Sequence, residues 1–399
     1  MFVVKRSLHG AVIGATKLLS KLLPDRVPVT FVGADATREL CDAIASLGLS
    51  KVLVVTDAGL VEIGIAARVT DALTAAGVKC AVYSGVEPDP TFPQVEAGLE
   101  QLRSEGCDAV LACGGGSPMD AAKVIAAAAG SGRTPAELEG RFKARKPPLP
   151  LFAVPTTAGT GSEVTFAAVV SDSETHAKKF FVDPNLLPQM VALDPALMLG
   201  LPRHITAATA IDALTHAVES WIAKTATRQT EGYARIAVGL IFANLPTAFS
   251  DGANLAARKN MALASYYAGL AFTRTSVGYV HAIAHNFGAR YGTPQGLANA
   301  IALAPVLEFS KPAVEGRLAR LAEVIGRGGS DDSEKATAFI AAVRELEVQV
   351  EIPPTLQALR EEDIPGIAED ALAEAHLNYP VPRYMSQAEC EALLRGLLA

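Results

Sequence analysis

Through the first half of the chain, short apolar runs alternate with longer stretches whose apolar positions recur every three or four residues. Residues 29–32, 51–56, 80–83, 109–113, 151–154 and 190–193 are compact apolar runs rich in valine, leucine and alanine, which predict strands, with residues 51–56 buried. A further strand is expected to begin after Lys178 and Lys179. Between these runs, residues 37–47, 61–76, 93–104 and 119–129 carry the helical period. That alternation predicts a parallel sheet with crossover helices, whose ligand-binding loops lie just past the carboxyl ends of the strands. From Leu201 the pattern becomes helical almost throughout. Helices are expected over residues 206–221, 230–250, 255–272, around His281, and over 299–309, 315–325, 333–346, 356–360, 364–375 and 386–398.

The first 24 residues follow a different rule. Val4, Leu8, Val12, Ala15, Leu18, Leu19 and Leu22 sit at helical spacing, Lys5, Arg6, His9, Lys17 and Lys21 interleave, and no acidic residue precedes Asp25. This is a basic amphipathic extension, residues 1–25, expected as an arm packing on a partner subunit or on the chain's own body. Lys17 interrupts its apolar run, which makes it a poor signal peptide.

Composition narrows the function classes. Thirty-five Lys and Arg against 42 Asp and Glu give a net charge of −7, and no basic block argues for nucleic acid as the main partner. No stretch is long and apolar enough to cross a bilayer. The five cysteines (Cys41, Cys80, Cys107, Cys113, Cys390) are scattered with no C-x-x-C spacing, which reads as free thiols in a reducing cytoplasm.

The loops after the strands carry candidate chemistry. Asp57 follows residues 51–56, where a carboxylate can accept from a ribose and repel a 2′-phosphate, an expectation of NAD over NADP. Residues 109–113 run into Gly114-Gly115-Gly116-Ser117-Pro118 and then a helix, a turn through which backbone can approach a phosphate at a helix N-terminus. Residues 155–165, P-T-T-A-G-T-G-S-E-V-T, form a hydroxyl-rich loop after the next strand. In the helical half, D-A-L-T-H (residues 212–216) and H-A-I-A-H (residues 281–285) each hold two candidate metal ligands four apart, on one helix face. An aspartate with neutral imidazoles suits Zn²⁺ or Fe²⁺. The fold class expected is therefore an α/β N-terminal dinucleotide-binding domain with a parallel, Rossmann-like sheet (residues 26–200), followed by an all-α C-terminal domain (residues 201–399). A ligand site is expected in the cleft between them.

G-G-G-S-P-M-D-A-A-K (residues 114–123), P-T-T-A-G-T-G-S-E-V-T, T-A-A-T-A-I-D-A-L-T-H-A-V-E (residues 206–219), H-A-I-A-H-N-F-G and P-V-P-R (residues 380–383) resemble the iron-containing, or group III, alcohol dehydrogenases from about residue 28 to the C-terminus. The resemblance implies an NAD(P)-dependent alcohol dehydrogenase or aldehyde reductase acting on a small alcohol or aldehyde, working as a homodimer or larger homo-oligomer. It implies cofactor contacts at Asp57, Gly115, Gly116, Ser117, Asp120, Thr156, Thr157, Thr160, Ser162, Val164 and Lys179. The family's asparagine in P-x-P-T is Asp89 here. The implied metal ligands are Asp212, His216 and His281, with the fourth falling at Gln295, where the family's T-P-H-G reads T-P-Q-G. His285, which spacing alone makes a ligand, matches a catalytic histidine near the nicotinamide. The alternatives are a dehydroquinate-synthase-like enzyme without net redox chemistry, and a nucleotide-binding protein whose metal site is impaired by Gln295.

Overall fold

The computed structural model describes residues 26–174 and 177–399, and the basic extension lies outside the described residues. The chain forms two compact units that divide at Gly200/Leu201.

In the first unit the strands are β1 (Val29–Val32), β2 (Lys51–Val55), β3 (Lys79–Tyr83), β4 (Ala109–Gly114), β5 (Gly140–Arg141), β6 (Leu151–Pro155), β7 (Ala167–Ser171), β8 (Lys178–Val182) and β9 (Met190–Leu193). Six of them form one sheet in the order β1-β9-β6-β4-β2-β3, every pairing parallel. The helices are α1 (Ala36–Ser46), α2 (Ala58–Glu62), α3 (Ile65–Ala75), α4 (Phe92–Ser104) and α5 (Gly116–Ser131). Alternate strand residues Val52, Val54, Leu111, Phe152, Val154 and Ala192 pack with Leu40 and Ile44 of α1 and Val69 and Leu73 of α3 in one buried cluster. α4 and α5 approach closely, because a Cβ on Gly98 would lie 2.6 Å from Ile125 Cδ1.

Three local expectations are corrected here. The helix expected over residues 61–76 is two helices, because Gly64 adopts φ +78 between α2 and α3. Lys178 and Lys179 lie within β8 rather than before it. β7 is a strand that the apolar pattern does not predict, and it pairs antiparallel with β8 in a separate three-stranded sheet, β5-β8-β7.

The second unit contains α6 (Arg203–Ile222), α7 (Arg228–Ser250), α8 (Leu255–Thr275), α9 (Tyr279–Tyr291), α10 (Gln295–Val324), α11 (Asp332–Gln349), α12 (Ile364–Asn378) and α13 (Gln387–Arg395). α6 is buried at every position from Ala210 to Ile222, so its polar residues there sit inside the helical core. Side-chain caps start α8 (Asn254 to Ala257 N–H) and α11 (Asp331 to Glu334 N–H), and Gly292 at φ +65 ends α9. The two helices expected at 299–309 and 315–325 are the two segments of α10, which meet at a kink where Val314 is non-helical (φ −139, ψ 21), just after Pro312. Residues 356–360 are not helical. They follow Pro353-Pro354, and Leu356 bridges Leu398 as an isolated parallel pair. No helix among the described residues is long and apolar enough to cross a membrane.

Candidate metal and nucleotide sites

In the first unit, β4 and β6 are neighbours in register, Cys113 beside Val154 and Gly114 beside Pro155, so the loops that follow them leave the sheet together. Thr156 N–H donates to Gly114 O at 3.0 Å. Gly114 has φ +155, and a Cβ there would lie 2.6 Å from Pro118 Cγ, so the turn requires glycine. Gly115 then caps the sixteen-residue α5. A Cβ on Gly115 would lie 3.3 Å from Thr157 Oγ1, and one on Gly116 3.0 Å from Thr160 Cγ2. The structure thus brings Gly115, Gly116, Ser117, Thr157 and Thr160 around a helix N-terminus. Its first-turn N–H groups lack partners within the helix and its dipole favours an anion. This cradle fits a phosphate group.

Beneath the cradle, Lys123 Nζ is buried and donates to Ser162 Oγ (2.6 Å), Thr165 Oγ1 (2.8 Å) and Ala167 O (2.7 Å). Ser162 Oγ donates to Asp120 Oδ1 at 2.7 Å, and Val169 N–H donates to Asp120 Oδ2 at 2.9 Å. Burial lowers the Lys123 ammonium to about 8, against the pull of Asp120 and Glu163, and burial raises the enclosed Glu163 carboxyl to about 7. Asp120 and Ser162 therefore tie α5 to the threonine loop, and Thr156 and Val164 are buried with them. Lys123 closes the G-G-G-S-P-M-D-A-A-K stretch, yet sequence reasoning passes over its role. A lysine on an otherwise apolar helix face is the signal that points to it.

The other cofactor candidates have separate local roles. Asp57 caps α2, accepting from Leu60 N–H at 2.9 Å. Lys179 Nζ lies 3.4 Å from the Glu139 carboxylate. Asp89 adopts φ +57, a conformation asparagine and aspartate tolerate, and pairs with Lys178.

In the second unit, one donor atom from each of Asp212, His216 and His281 falls within a 4.8 Å cluster, with all three residues buried. The His216 and His281 Nε2 atoms are 2.9 Å apart. Behind His281 stands Glu219. Its carboxylate accepts from Gly278 N–H (2.8 Å), at the cap of α9, and Val280 N–H (2.8 Å), in its first turn, and lies 2.6 Å from His281 Nδ1. A Cβ on Gly278 would lie 2.7 Å from Glu219 Oε1, so glycine lets the carboxylate reach the backbone. Burial lowers His281 to about 4, which keeps its imidazole neutral and able to ligate near pH 7. Burial also raises the Glu219 carboxyl to about 7, and this enclosed set of Asp212, His216, His281 and Glu219 is a polar arrangement that a divalent cation would stabilise. A carboxylate–histidine pair with Nε2 turned inward is also the usual support of a metal ligand. The residues fit a first-row divalent metal.

Two amides on α10 border this cluster's helices. Gln295 opens α10, and its buried Nε2 has no hydrogen-bond partner among the described residues. The adjacent Gly296 is pressed on α6, where a Cβ would lie 2.7 Å from Ala208 O. Asn299, one turn further on and fully buried, places Nδ2 2.6 Å from Asp212 Oδ1 and 3.2 Å from His281 Nε2. His285 stands apart from the three clustered donors. Its ring is edge-on to His281 at 6.1 Å, and its Nδ1 is 2.7 Å from Glu374 Oε1, which also accepts from Tyr379 Oη. Sequence reasoning misses Glu219, Asn299, Glu374 and Tyr379. The motif stretch ending at Glu219 and the i, i+4 relation of Asn299 to Gln295 are signals for the first two, while Glu374 and Tyr379 lie about ninety residues from His285 and have none.

Residues 28–195 match the family described as iron-containing alcohol dehydrogenase, and residues 206–398 match the C-terminal region of the Fe-containing alcohol dehydrogenase family. The 1,3-propanediol dehydrogenase of Klebsiella pneumoniae is 39% identical over 385 residues, covering 95% of this chain and 98% of the relative. The NAD-dependent methanol dehydrogenase of Bacillus methanolicus is 36% identical over 351 residues, covering 87% of this chain and 92% of the relative. Among solved structures, a 1,3-propanediol oxidoreductase superposes with a TM-score of 0.90 at 39% identity, covering 93% of this chain and 98% of that one. With both halves of the chain matched in order and the whole fold shared, the protein belongs to the iron-containing alcohol dehydrogenase family.

Proposed function

We propose that this alcohol oxidoreductase interconverts a small alcohol and its aldehyde with NAD(H), using one divalent ion, Fe²⁺ or Zn²⁺, held by Asp212, His216 and His281 with Gln295 at the fourth position. The observation that carries the reading is the buried three-residue donor cluster with Glu219 behind His281. In this reading residues 26–200 bind the dinucleotide and residues 201–399 hold the metal and substrate. The pyrophosphate lies on Gly115, Gly116 and Ser117, Thr157 and Thr160 line it, and Thr156, Asp120, Ser162 and Val164 shape the loop beneath. Asp57 contacts the adenosine ribose, which favours NAD over NADP, and Lys179 serves the nicotinamide end. Bound, the metal supplies Lewis acidity at the substrate oxygen and the nicotinamide carries the hydride. Glu219 keeps the proton of His281 on Nδ1, so that Nε2 offers its lone pair to the cluster. His285 takes the proton released when an alcohol O–H is oxidised and returns it on reduction.

The test is metal content of anaerobically purified protein, with and without added Fe²⁺ or Zn²⁺, beside NADH oxidation with an aldehyde panel and NAD⁺ reduction with 1,3-propanediol. The expected result is about one metal per chain, with activity lost to chelator and restored by the ion. Full turnover after complete metal removal would overturn the metal part. Normal NADH binding without turnover on any carbonyl would overturn the activity.

A further inference from the structure

We propose that Glu374, with Tyr379 behind it, is the positioning residue that holds His285 as the Nδ1–H tautomer, making Nε2 the nitrogen that exchanges the substrate's proton. This rests on the reading of His285 given above and adds residues that no motif supplied.

The hydrogens that face Glu374 follow from its contacts. Glu374 Oε1 faces two polar groups, His285 Nδ1 at 2.7 Å and the Tyr379 hydroxyl. A carboxylate oxygen can only accept, so both groups must donate to it. Burial works against a charge on Glu374, but the hydrogen bond from His285, the charge of that ring when protonated and the Tyr379 hydroxyl outweigh it, and the carboxyl stays below the usual range. The Tyr379 phenol is pushed well above its ordinary value by burial and by the Glu374 charge, so it remains a donor at every working pH. In the neutral ring the proton is thus on Nδ1, and Nε2 is the acceptor. The support is rigid. Glu374 lies on α12, Tyr379 immediately follows that helix, and His285 is on α9. The side chains of His285 and Glu374 are only 16% and 21% exposed.

In the oxidation direction the alcohol O–H bond breaks and its proton goes to His285 Nε2, while the carbinol hydride goes to NAD⁺. The imidazolium then passes its proton to solvent, so alcohol and NAD⁺ give carbonyl, NADH and H⁺. Glu374 takes no proton. It keeps the ring's orientation and offsets the imidazolium charge, the role a buried aspartate plays behind a catalytic histidine.

The experiment compares E374Q, Y379F, H285A and the H285A/E374Q double variant in the metal-loaded enzyme, with 1,3-propanediol and NAD⁺ as the assay pair. In parallel, ¹⁵N-histidine spectra of the metal-free protein report the tautomer directly. In E374Q the charge behind Nδ1 is lost, and where the NH₂ takes the place of the oxygen that accepts from both His285 and Tyr379, the ring proton moves to Nε2. We expect kcat to fall roughly a hundredfold or more, since a wrong tautomer behind a catalytic histidine costs up to about 10⁴. KM, NADH affinity and metal content should stay within threefold. Y379F should keep the Nδ1–H tautomer and lose less than tenfold. The double variant should be no slower than H285A, because the two residues act as one unit. An Nε2–H tautomer in the parent protein overturns the inference, whether or not the variants fold. So does E374Q turnover within threefold of parent while H285A is inactive, an outcome that leaves His285's role standing. H285A as fast as parent defeats the underlying reading instead.

Discussion

Glu219→Gln separates metal binding from folding. Glu219 accepts three hydrogen bonds in the folded chain, from Gly278 N–H, Val280 N–H and His281 Nδ1–H. Glutamine is nearly isosteric, but one carboxylate oxygen serves both Gly278 N–H and His281 Nδ1 while the other serves Val280 N–H, so its single carbonyl oxygen can replace only one of them. Its NH₂ therefore either opposes Nδ1, which moves the His281 proton to Nε2, the atom that faces His216, or stands against Val280 N–H, and in both cases the charge behind His281 is gone. A ring protonated on Nε2 cannot ligate until it changes tautomer. Supports of this kind contribute about 10–100-fold to metal affinity, or about 1.4–2.8 kcal/mol. Stability of the metal-free protein should fall by less than the loss of all three bonds implies, roughly 1–3 kcal/mol, since one backbone amide loses its acceptor and the remaining bonds lose charge assistance. The assay is competition for Zn²⁺ against a chromogenic chelator, beside urea unfolding of the metal-free protein. Zinc affinity within twofold of parent would refute the argument that the Glu219 carboxylate supports His281 as a ligand.

Gln295→His should strengthen metal binding by tenfold or more, since imidazole is a better ligand than a neutral amide for these ions; the same competition assay checks it, and no gain would mean position 295 does not face the metal. Gly116→Ala should raise the NADH dissociation constant about tenfold without changing metal content, because its Cβ would sit 3.0 Å from Thr160 Cγ2; fluorescence titration reads it, and unchanged affinity would remove the cradle from the cofactor site. Glu163 is raised by burial to about 7 from an ordinary 4.5, so the folded chain holds its proton more tightly than the unfolded one. Its contribution is greatest below pH 4.5 and is lost as pH rises through 7. Glu163→Gln should flatten that decline and stabilise the metal-free protein at pH 8 by a few kcal/mol, since each tenfold gain in proton affinity on folding corresponds to about 1.4 kcal/mol. Unfolding curves that keep the parent's slope between about pH 5 and 7 would count against it.

The main sheet was legible because its central strands β4 and β6 are buried on both faces, and each predicted run from residues 29–32 to 190–193 falls on a parallel strand to within a residue. What escaped was set by contacts distant in sequence. β7 is an ordinary five-residue run until it pairs with β8, and residues 356–360 look helical until Leu356 meets Leu398. At the site, the i, i+4 rule brought out Asp212, His216, His281 and His285 but treated both pairs alike. It could not see that His281 turns to Glu219 while His285 turns to Glu374. Periodicity reports which face a side chain is on, and the division of labour between two histidines on one helix is decided by the carboxylates opposite them.

Lys123 gives the nucleotide cradle a further property. A loop rich in glycine and threonine is ordinarily mobile, and closing it around a ligand costs conformational entropy of about 1–2 kcal/mol per residue that becomes ordered. Here one buried ammonium bonds to Ser162, Thr165 and Ala167, and Asp120 takes up Ser162 and Val169, so the loop is already tethered to the helix it faces. The ordering cost is met during folding rather than at each encounter. For a dinucleotide bound there as proposed, less of the contact energy is spent on ordering the loop and more of it appears as affinity.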